Sequence, residues 1–291
     1  AVISVFERAN QFIVGRLLVE SGVAVVIADN KRITQDILVP EGSLGGAVNG
    51  QIVKVEITQQ PTFKRQPIGK VVDVLGDHMS PGMEIDIAIH SYGLPHEFPE
   101  QVLADANKWG DSVRENDKKG RVDLRSVPLV TIDGEDARDF DDAVYCEKRW
   151  RGGWRLWVAI ADVSHYVRPG SALDEEAASR GNSVYFPERV VPMLPEALSN
   201  GLCSLKPQVD RLAMVCEMDL TRSGRLNRFH FYEAVIHSHA RLTYTQVGEV
   251  LATGSATGGE KERITDLKQA GLKVRHFSPN ALALYHAFRL Y

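Results

Sequence analysis

Residues 130–144 read VTIDGEDARDFDDAV, and five aspartates fall within ten residues of this stretch. Four of them form the candidate set: Asp133, Asp139, Asp141 and Asp142. Carboxylates crowded this closely repel one another strongly when they lose water, unless a cation neutralises them. Oxygen ligands of this kind suit Mg²⁺ or Mn²⁺, which take the rest of their coordination shell from water and substrate phosphates. The stretch therefore predicts a site for metal-assisted attack on a phosphodiester.

The same acidic run has a simpler interpretation, because acidic runs are commonly solvated turns and Gly134 with Asp136 would suit one. A calcium loop of the EF-hand type does not fit the spacing. Counted from Asp133, the sixth position is Arg138 where such a loop needs glycine, and the twelfth is Val144 where it needs glutamate. The solvated turn and the metal site both remain open on these residues alone.

The composition is that of an ordinary globular protein, with 291 residues of which 44% are hydrophobic and 25% are charged. This length is enough for two domains that each have a core. The formal net charge of −4 disfavours simple non-specific binding of nucleic acid. Local basic patches or a metal site would still be able to hold a phosphate backbone.

The three cysteines, Cys146, Cys203 and Cys216, are odd in number and show no CxxC spacing. We therefore expect reduced thiols in a cytoplasmic protein, without a zinc site or a disulfide. No apolar run approaches about 18 residues and no signal peptide opens the chain, so we expect no membrane association. The chain begins at Ala1 without methionine and ends at Tyr291 inside a helix-like stretch, and both ends are expected to be cuts in a longer protein.

Residues 12–90 form a series of short apolar segments separated by turn residues, which is typical of strands. The segments are FIVGRLLVE, VAVVIA, DILVP, QIVKVEIT, IGKVVDVL and EIDIAI. Five or six strands in this length predict a small barrel of the OB-fold type, a fold that binds oligonucleotides. The loop PTFKRQPIGK is a candidate RNA-binding loop, and an ordinary surface loop without a ligand is the alternative. Its aromatic and basic residues are Phe63, Lys64, Arg65 and Lys70.

Residues 91–99 contain two prolines and form the predicted linker to a second region. A helix is expected between Pro99 and Trp109, a strand near residues 129–132, and a second helix over ALDEEAASR. Further strand patterns are NSVYFPERVVPMLP, AMVCEMDL and RFHFYEAVIHS. A glycine-rich linker at residues 253–259 is followed by at least one more helix. The mixture predicts an α+β fold class.

Two strand patterns next to the aspartates, AVYCEKR and WRLWVAIADV, flank a glycine pair and predict a hairpin. If its turn centres near Gly152, antiparallel pairing places Asp142 opposite Asp162. The second strand would then return Asp162, and His165 with it, towards the aspartates.

Four motifs follow one another along the chain: VTIDGEDARDFDDAV, WVAIADVSHYV, NSVYFPERVVPMLP and LSNGLCSLKPQVDR. Together they resemble the catalytic domain of the ribonuclease II/ribonuclease R (RNB) family of exoribonucleases, whose ribonuclease R branch is the closer match. The segment before them resembles the second cold-shock domain of that family. The resemblance implies three regions: residues 1–11 as the tail of a preceding cold-shock domain, residues 12–90 as an OB-fold cold-shock domain, and residues 91–291 as the N-terminal portion of the RNB catalytic domain, incomplete at its C-terminus.

The resemblance implies processive hydrolysis of single-stranded RNA from its 3′ end to 5′-nucleoside monophosphates, with Mg²⁺ as cofactor and Mn²⁺ as its substitute. It assigns the four aspartates to both the catalytic centre and the metal. Tyr185 matches the tyrosine that stacks on the 3′-terminal nucleotide, with a tyrosine packed in the core as the alternative. A full-length member is expected to be monomeric.

The resemblance also places a catalytic arginine and further strand-binding residues after Tyr291, so we expect weak nuclease activity from this chain alone. The rival interpretation is a non-catalytic RNA-binding module, in which the barrel binds RNA and the second region is inert. Two points stay open on the sequence. His165 is a candidate supporting side chain near the site, and Asp210 with Arg211 is either an ion pair or a substrate contact.

Overall fold

The structure is a computed structural model, and it describes residues 11–78 and 80–253. These residues divide into two compact units. The first unit contains residues 11–97 and 184–191, and the second contains residues 98–183 and 192–253. The predicted glycine-rich linker and the helix after it lie outside the described residues, apart from Thr253.

The strands in chain order are β1 (Phe12–Glu20), β2 (Val23–Ala28), β3 (Ile37–Val39), β4 (Gln51–Gln59), β5 (Ile68–Asp77), β6 (Val122–Asp123), β7 (Val130–Asp133), β8 (Asp142–Lys148), β9 (Trp154–Ala161), β10 (Val184–Tyr185), β11 (Val190–Val191), β12 (Asp210–Leu220), β13 (Leu226–His237) and β14 (Ala240–Thr243). The helices are α1 (Met83–Ser91), α2 (Glu100–Asn107), α3 (Val163–Tyr166), α4 (Ala172–Arg180) and α5 (Tyr244–Thr253). Short helical turns cover Glu41–Ser43, Glu115–Lys118 and Leu198–Leu202.

The first five strands close into a barrel in the order β1-β2-β3-β5-β4. All neighbours are antiparallel except β3 and β5, which meet in parallel at Leu38 and Ile68. Alternate residues of the strands point inward and form one apolar core, because successive side chains of a strand face opposite sides. The predicted OB-type barrel is confirmed.

The segment EIDIAI was predicted to be a strand, and this was wrong because it forms most of α1. Its isoleucines alternate, but the spacing of Met83 and Ile87 also fits one face of a helix, and both pack on Val14 and Ile52 of the barrel. Gly82, with a φ of 82°, turns the chain into the helix. The barrel is already closed by five strands, so it offers no edge to a sixth.

The second unit is built on a seven-stranded sheet in the order β14-β7-β8-β9-β12-β13-β6. Only the two outermost pairings, β14 with β7 and β6 with β13, are parallel. The predicted helices are found as α2 and α4, and α4 begins with a Ser171 cap on Asp174 and ends at Gly181, whose φ is 76°. A barrel followed by a sheet with several helices confirms the α+β class.

The register predicted for the hairpin of β8 and β9 was wrong by two residues. Asp142 pairs with Ile160 instead of Asp162. The turn spans residues 149–153 and therefore centres on Arg151, because the two glycines lie at its end and not at its middle. The positive φ angles of Gly152 and Gly153, 90° and 81°, allow this sharp return into β9.

Within the described residues, no helix is both long and apolar enough to cross a membrane. Cys146, Cys203 and Cys216 are free thiols within the described residues.

The barrel offers a direct test of its packing at Gly15, which pairs with Ala28 across β1 and β2. A Cβ at this position would overlap the carbonyl oxygen of Ile27 and lie 2.8 Å from Cγ1 of Val26. We expect Gly15→Ala to destabilise the barrel by about 1–3 kcal/mol, since a packed backbone cannot move aside cheaply. Native-state hydrogen exchange of the β1 and β2 amides measures this loss. Gly42→Ala is the matched control, because its Cβ would meet no atom within 4 Å; equal protection in both variants would contradict the packing.

Candidate active site

The sheet brings the ends of the acidic stretch together. Asp133 is the last residue of β7 and Asp142 is the first residue of β8, and these strands are antiparallel neighbours that pair at Val130 and Val144. The loop between them, residues 134–141, carries Asp139 and Asp141. All four predicted aspartates therefore lie at one end of the β7–β8 pair.

The electrostatics of the cluster show charge without full compensation. Burial raises the pKa of Asp133 above its usual value, and the charges of Asp142 and Asp139 raise it further. Burial among its neighbours also raises the pKa of Asp141, with added repulsion from Asp139, Asp142 and Asp133. The pKa of Asp142 is raised by burial. Each shift means that the folded protein disfavours the ionised form of that carboxyl group.

A buried serine holds the acidic loop in place from a distant part of the sequence. Ser204, which is fully buried, accepts a hydrogen bond from the amide of Phe140 and donates one to the carbonyl of Arg138, both at 3.0 Å. The next amide, that of Leu205, donates to the carbonyl of Phe140 at 2.8 Å. The ring of Phe140 is 5% exposed. These neutral contacts fix the backbone between Asp139 and Asp141 without neutralising either carboxylate.

Arg211 supports the serine in turn. Its guanidinium is buried, and Nε donates to the carbonyl of Ser204 at 2.8 Å while Nη1 donates to the carbonyl of Asp210 at 2.9 Å. The carboxylate of Asp210 points elsewhere and pairs with Lys118 at 2.8 Å and Arg125 at 3.3 Å. Asp210 and Arg211 are therefore not an ion pair with each other, and Arg211 acts on the backbone that carries Ser204.

Arg241 binds the backbone of the acidic loop, a role that the sequence did not predict. Strand β14 runs parallel to β7, so that Thr243 pairs with Asp133. The Arg241 guanidinium donates to the carbonyls of Gly134, at 3.1 Å, and Glu135, and it lies 5.1 Å from the centre of the Phe140 ring. It also lowers the pKa of Asp133, but less than burial and the neighbouring aspartates raise it. A residue more than 100 positions away carries no local signal for this role.

Asp162 and His165 were expected to turn towards the aspartates, but they belong to a second polar network. The Asp162 carboxylate pairs with Arg121 at 2.6 Å and accepts a hydrogen bond from the Ser164 hydroxyl at 2.7 Å. His165 Nε2 lies 3.5 Å from a carboxylate oxygen of Asp117. Asp162 does not add a fifth carboxylate to the cluster, because it follows the end of β9 and its carboxylate pairs with Arg121 instead.

The other predicted residues lie in the first unit. Tyr185 pairs with Val190 in the small hairpin of β10 and β11, and its side chain is 62% exposed, which excludes a tyrosine packed in the core. Thr62 and Arg65 close a tight turn that leaves Phe63 fully exposed. The basic residues of this loop, Lys64, Arg65 and Lys70, are all exposed.

The donor set suits a hard divalent cation, since it consists of carboxylate oxygens. Among the described residues, Oδ2 of Asp133 is buried and has no hydrogen-bond partner, which leaves a lone pair available to a ligand. In residues 11–78 and 80–253, however, no three His, Cys, Asp or Glu side chains converge closely enough to enclose an ion. The residues fit a cation that takes much of its shell from water and a phosphate group.

Two protein families match this chain. The RNB domain matches residues 121–282, which include the acidic stretch, Ser204 and Arg241, and the cold shock domain matches residues 26–99. Ribonuclease R of Vibrio parahaemolyticus serotype O3:K6 is 60% identical over 250 residues, covering 86% of this chain and 30% of that protein. Ribonuclease R of Escherichia coli (strain K12) is 59% identical over 239 residues, covering 82% of this chain and 29% of that protein.

The fold agrees with these matches. Mycoplasma genitalium RNase R, solved in complex with double-stranded RNA, superposes with a TM-score of 0.81 at 33% identity and covers 93% of this chain and 47% of that one. The chain spans about 30% of the length of the two curated relatives. Because the RNB domain match takes in more than half of its 291 residues, the chain belongs to the RNB family.

Proposed function

We propose that this chain supplies the aspartate-bearing part of an exoribonuclease active site. The reaction is the processive hydrolysis of single-stranded RNA from its 3′ end to 5′-nucleoside monophosphates, with Mg²⁺ or Mn²⁺. The observation that carries the proposal is the set of carboxylates at one end of the β7–β8 pair. The pKa values of Asp133, Asp141 and Asp142 are raised, and Asp133 has a buried, unpartnered oxygen. The similarity to proteins named ribonuclease R supports it.

The chain's own residues would contribute positioning and negative charge. A subset of Asp133, Asp139, Asp141 and Asp142 would hold the cation directly, and the others would position its waters or a second ion. A bound Mg²⁺ would neutralise charge that develops on the scissile phosphate and activate the attacking water. Ser204 and Arg241 hold the loop backbone, so the carboxylates need little rearrangement when substrate arrives. The buried Phe140 ring keeps this loop attached to the core.

RNA is the proposed partner of the first unit. Tyr185 is proposed to stack on the 3′-terminal nucleotide, a contact that grips a strand end without reading its sequence. The exposed basic loop is proposed to contact phosphates through Lys64, Arg65 and Lys70. The relative from Mycoplasma genitalium has been solved with double-stranded RNA and with ribose-methylated single-stranded RNA, which supports RNA as the ligand. We further propose a cytoplasmic protein that is monomeric at full length.

Asp142→Asn tests the catalytic assignment, in a protein of the relatives' full length that carries this chain. Because the amide keeps the shape and removes the charge, we expect cleavage of 3′-labelled poly(A) to fall by at least about a hundredfold while RNA binding persists. Asp136→Asn is the matched control, since Asp136 is exposed on the same loop and outside the proposed set. Near-normal cleavage by the Asp142 variant would show that the assignment is wrong.

Tyr185→Ala tests the role of the exposed ring, in the same full-length protein. Stacking of a base on tyrosine contributes about 1–3 kcal/mol, so its loss should weaken the hold on short RNA and lengthen the shortest product, while bond cleavage continues. Denaturing gels of the end products measure this change. Tyr185→Phe keeps the ring and should give the parent ladder. The role is refuted if the alanine variant also gives the parent ladder.

A further inference from the structure

The sheet of the second unit has a second charged feature at the far end of β8. Two segments meet there, and we call them the arginine tip. They are residues 148–153, which cover the end of β8 and its turn to β9, and residues 221–228, which cover the turn after β12 and the start of β13. The tip contains six cations and no acidic residue, in a chain whose net charge is −4. These cations are Lys148, Arg149, Arg151, Arg222, Arg225 and Arg228.

The two turns are packed against each other, so the tip is a defined surface. A Cβ on Gly152 would lie 2.6 Å from Nε of Arg222, which shows that this guanidinium rests directly on the glycine. A Cβ on Gly153 would overlap the carbonyl oxygen of Leu220. Both glycines also have positive φ angles, which a side chain would strain. The close approach of the turns concentrates the six positive charges.

Most of the tip cations form no ion pair within the part of the protein that the structure describes. Arg149 pairs with Asp219 at 3.0 Å, and it is the one tip cation with an ion-pair partner among the described residues. Arg151, Arg222, Arg225 and Arg228 are all exposed. Like charges placed this close repel one another, so a polyanion that binds here would relieve their repulsion.

An aromatic ring stands within the same surface. Trp150 is 86% exposed, and the Arg151 guanidinium lies 4.5 Å from the centre of its ring. Exposed aromatic rings with arginine beside them are the means by which proteins stack unpaired bases while contacting phosphates. An acidic protein segment would also pair with the arginines, but it would offer no base to stack on the exposed indole.

The tip is separate from the aspartates. Asp142 opens β8 and Lys148 closes it, so the two features stand at opposite ends of a seven-residue strand. At a rise of about 3.3 Å per residue, they are roughly 20 Å apart. A ligand on the tip therefore does not occupy the aspartate cluster.

We propose that the arginine tip is a second RNA-binding surface, which contacts phosphates through its arginines and stacks an unpaired base on Trp150. This inference rests on the proposed function for RNA as the ligand. In this proposal, the tip holds RNA away from the aspartates and takes no part in bond cleavage.

The test measures binding of labelled oligo(A) by fluorescence anisotropy over a range of salt concentrations. The 291-residue chain carries Asp142→Asn throughout, so that RNA stays intact. Arg225→Gln with Arg228→Gln should weaken binding about tenfold and reduce the salt slope by about 1.4, at about 0.7 per phosphate contact on a single strand. Lys119→Gln with Arg168→Gln removes the same charge from exposed positions elsewhere in the unit and should change neither value.

Trp150→Ala provides a second, independent variant. It should weaken binding of oligo(A) several-fold but leave binding of an abasic oligonucleotide of equal length unchanged, because only the former has bases to stack. Parent affinity in both tip variants would overturn the proposal. So would equal competition by poly-glutamate, which would assign the surface to an acidic protein. Cleavage by the full-length protein is measured separately. If the tip does not bind RNA, the proposed nuclease function is unaffected, and if the nuclease proposal fails, binding at the tip can still be measured.

Discussion

Burial of neighbouring carboxylates, together with their mutual repulsion, is the constraint on which the site depends. Asp133, Asp141 and Asp142 have raised pKa values, so the folded chain holds these groups together at a cost in free energy. The groups that hold them are chiefly neutral. Ser204 and Leu205 bind the loop backbone, and even Arg241 directs its hydrogen bonds to carbonyl oxygens. Such neutral contacts leave the carboxylate charge available to the cation proposed to bind here.

The architecture follows from how the two ends of this loop are fixed. Strands β7 and β8 set Asp133 and Asp142 in place, and β14 joins the outer edge of β7 and delivers Arg241. The Leu198–Leu202 turn leads into Ser204, and β12 carries Arg211 beneath it. Four separate parts of the sequence thus support one loop. At the other end of β8 the same sheet presents cations in place of carboxylates, so one set of strands carries opposite charges at its two ends.

The sequence predicted much of this from local patterns. Alternating apolar residues gave the barrel strands and the hairpin, and the aspartate spacing with its motifs gave the family and the candidate site. EIDIAI was misread because three alternating isoleucines satisfy both a strand and, through Met83 and Ile87, a helix face. The hairpin register failed because a glycine pair marks a turn without giving its centre. Arg241 and Ser204 could not be assigned roles, since their contacts depend on strand order and on a buried loop that no local pattern encodes.

The most direct test of the central claim compares thermal unfolding of the parent chain and Asp141→Asn at neutral pH, with and without Mn²⁺. If the carboxylates repel one another, the neutral side chain should raise the melting temperature in the presence of EDTA, because the raised pKa of Asp141 means that its charge destabilises the folded state. Added Mn²⁺ should then stabilise the parent more than the variant, since binding to the folded state raises stability. A variant that melts below the parent without metal, or that gains as much from Mn²⁺, would contradict the account.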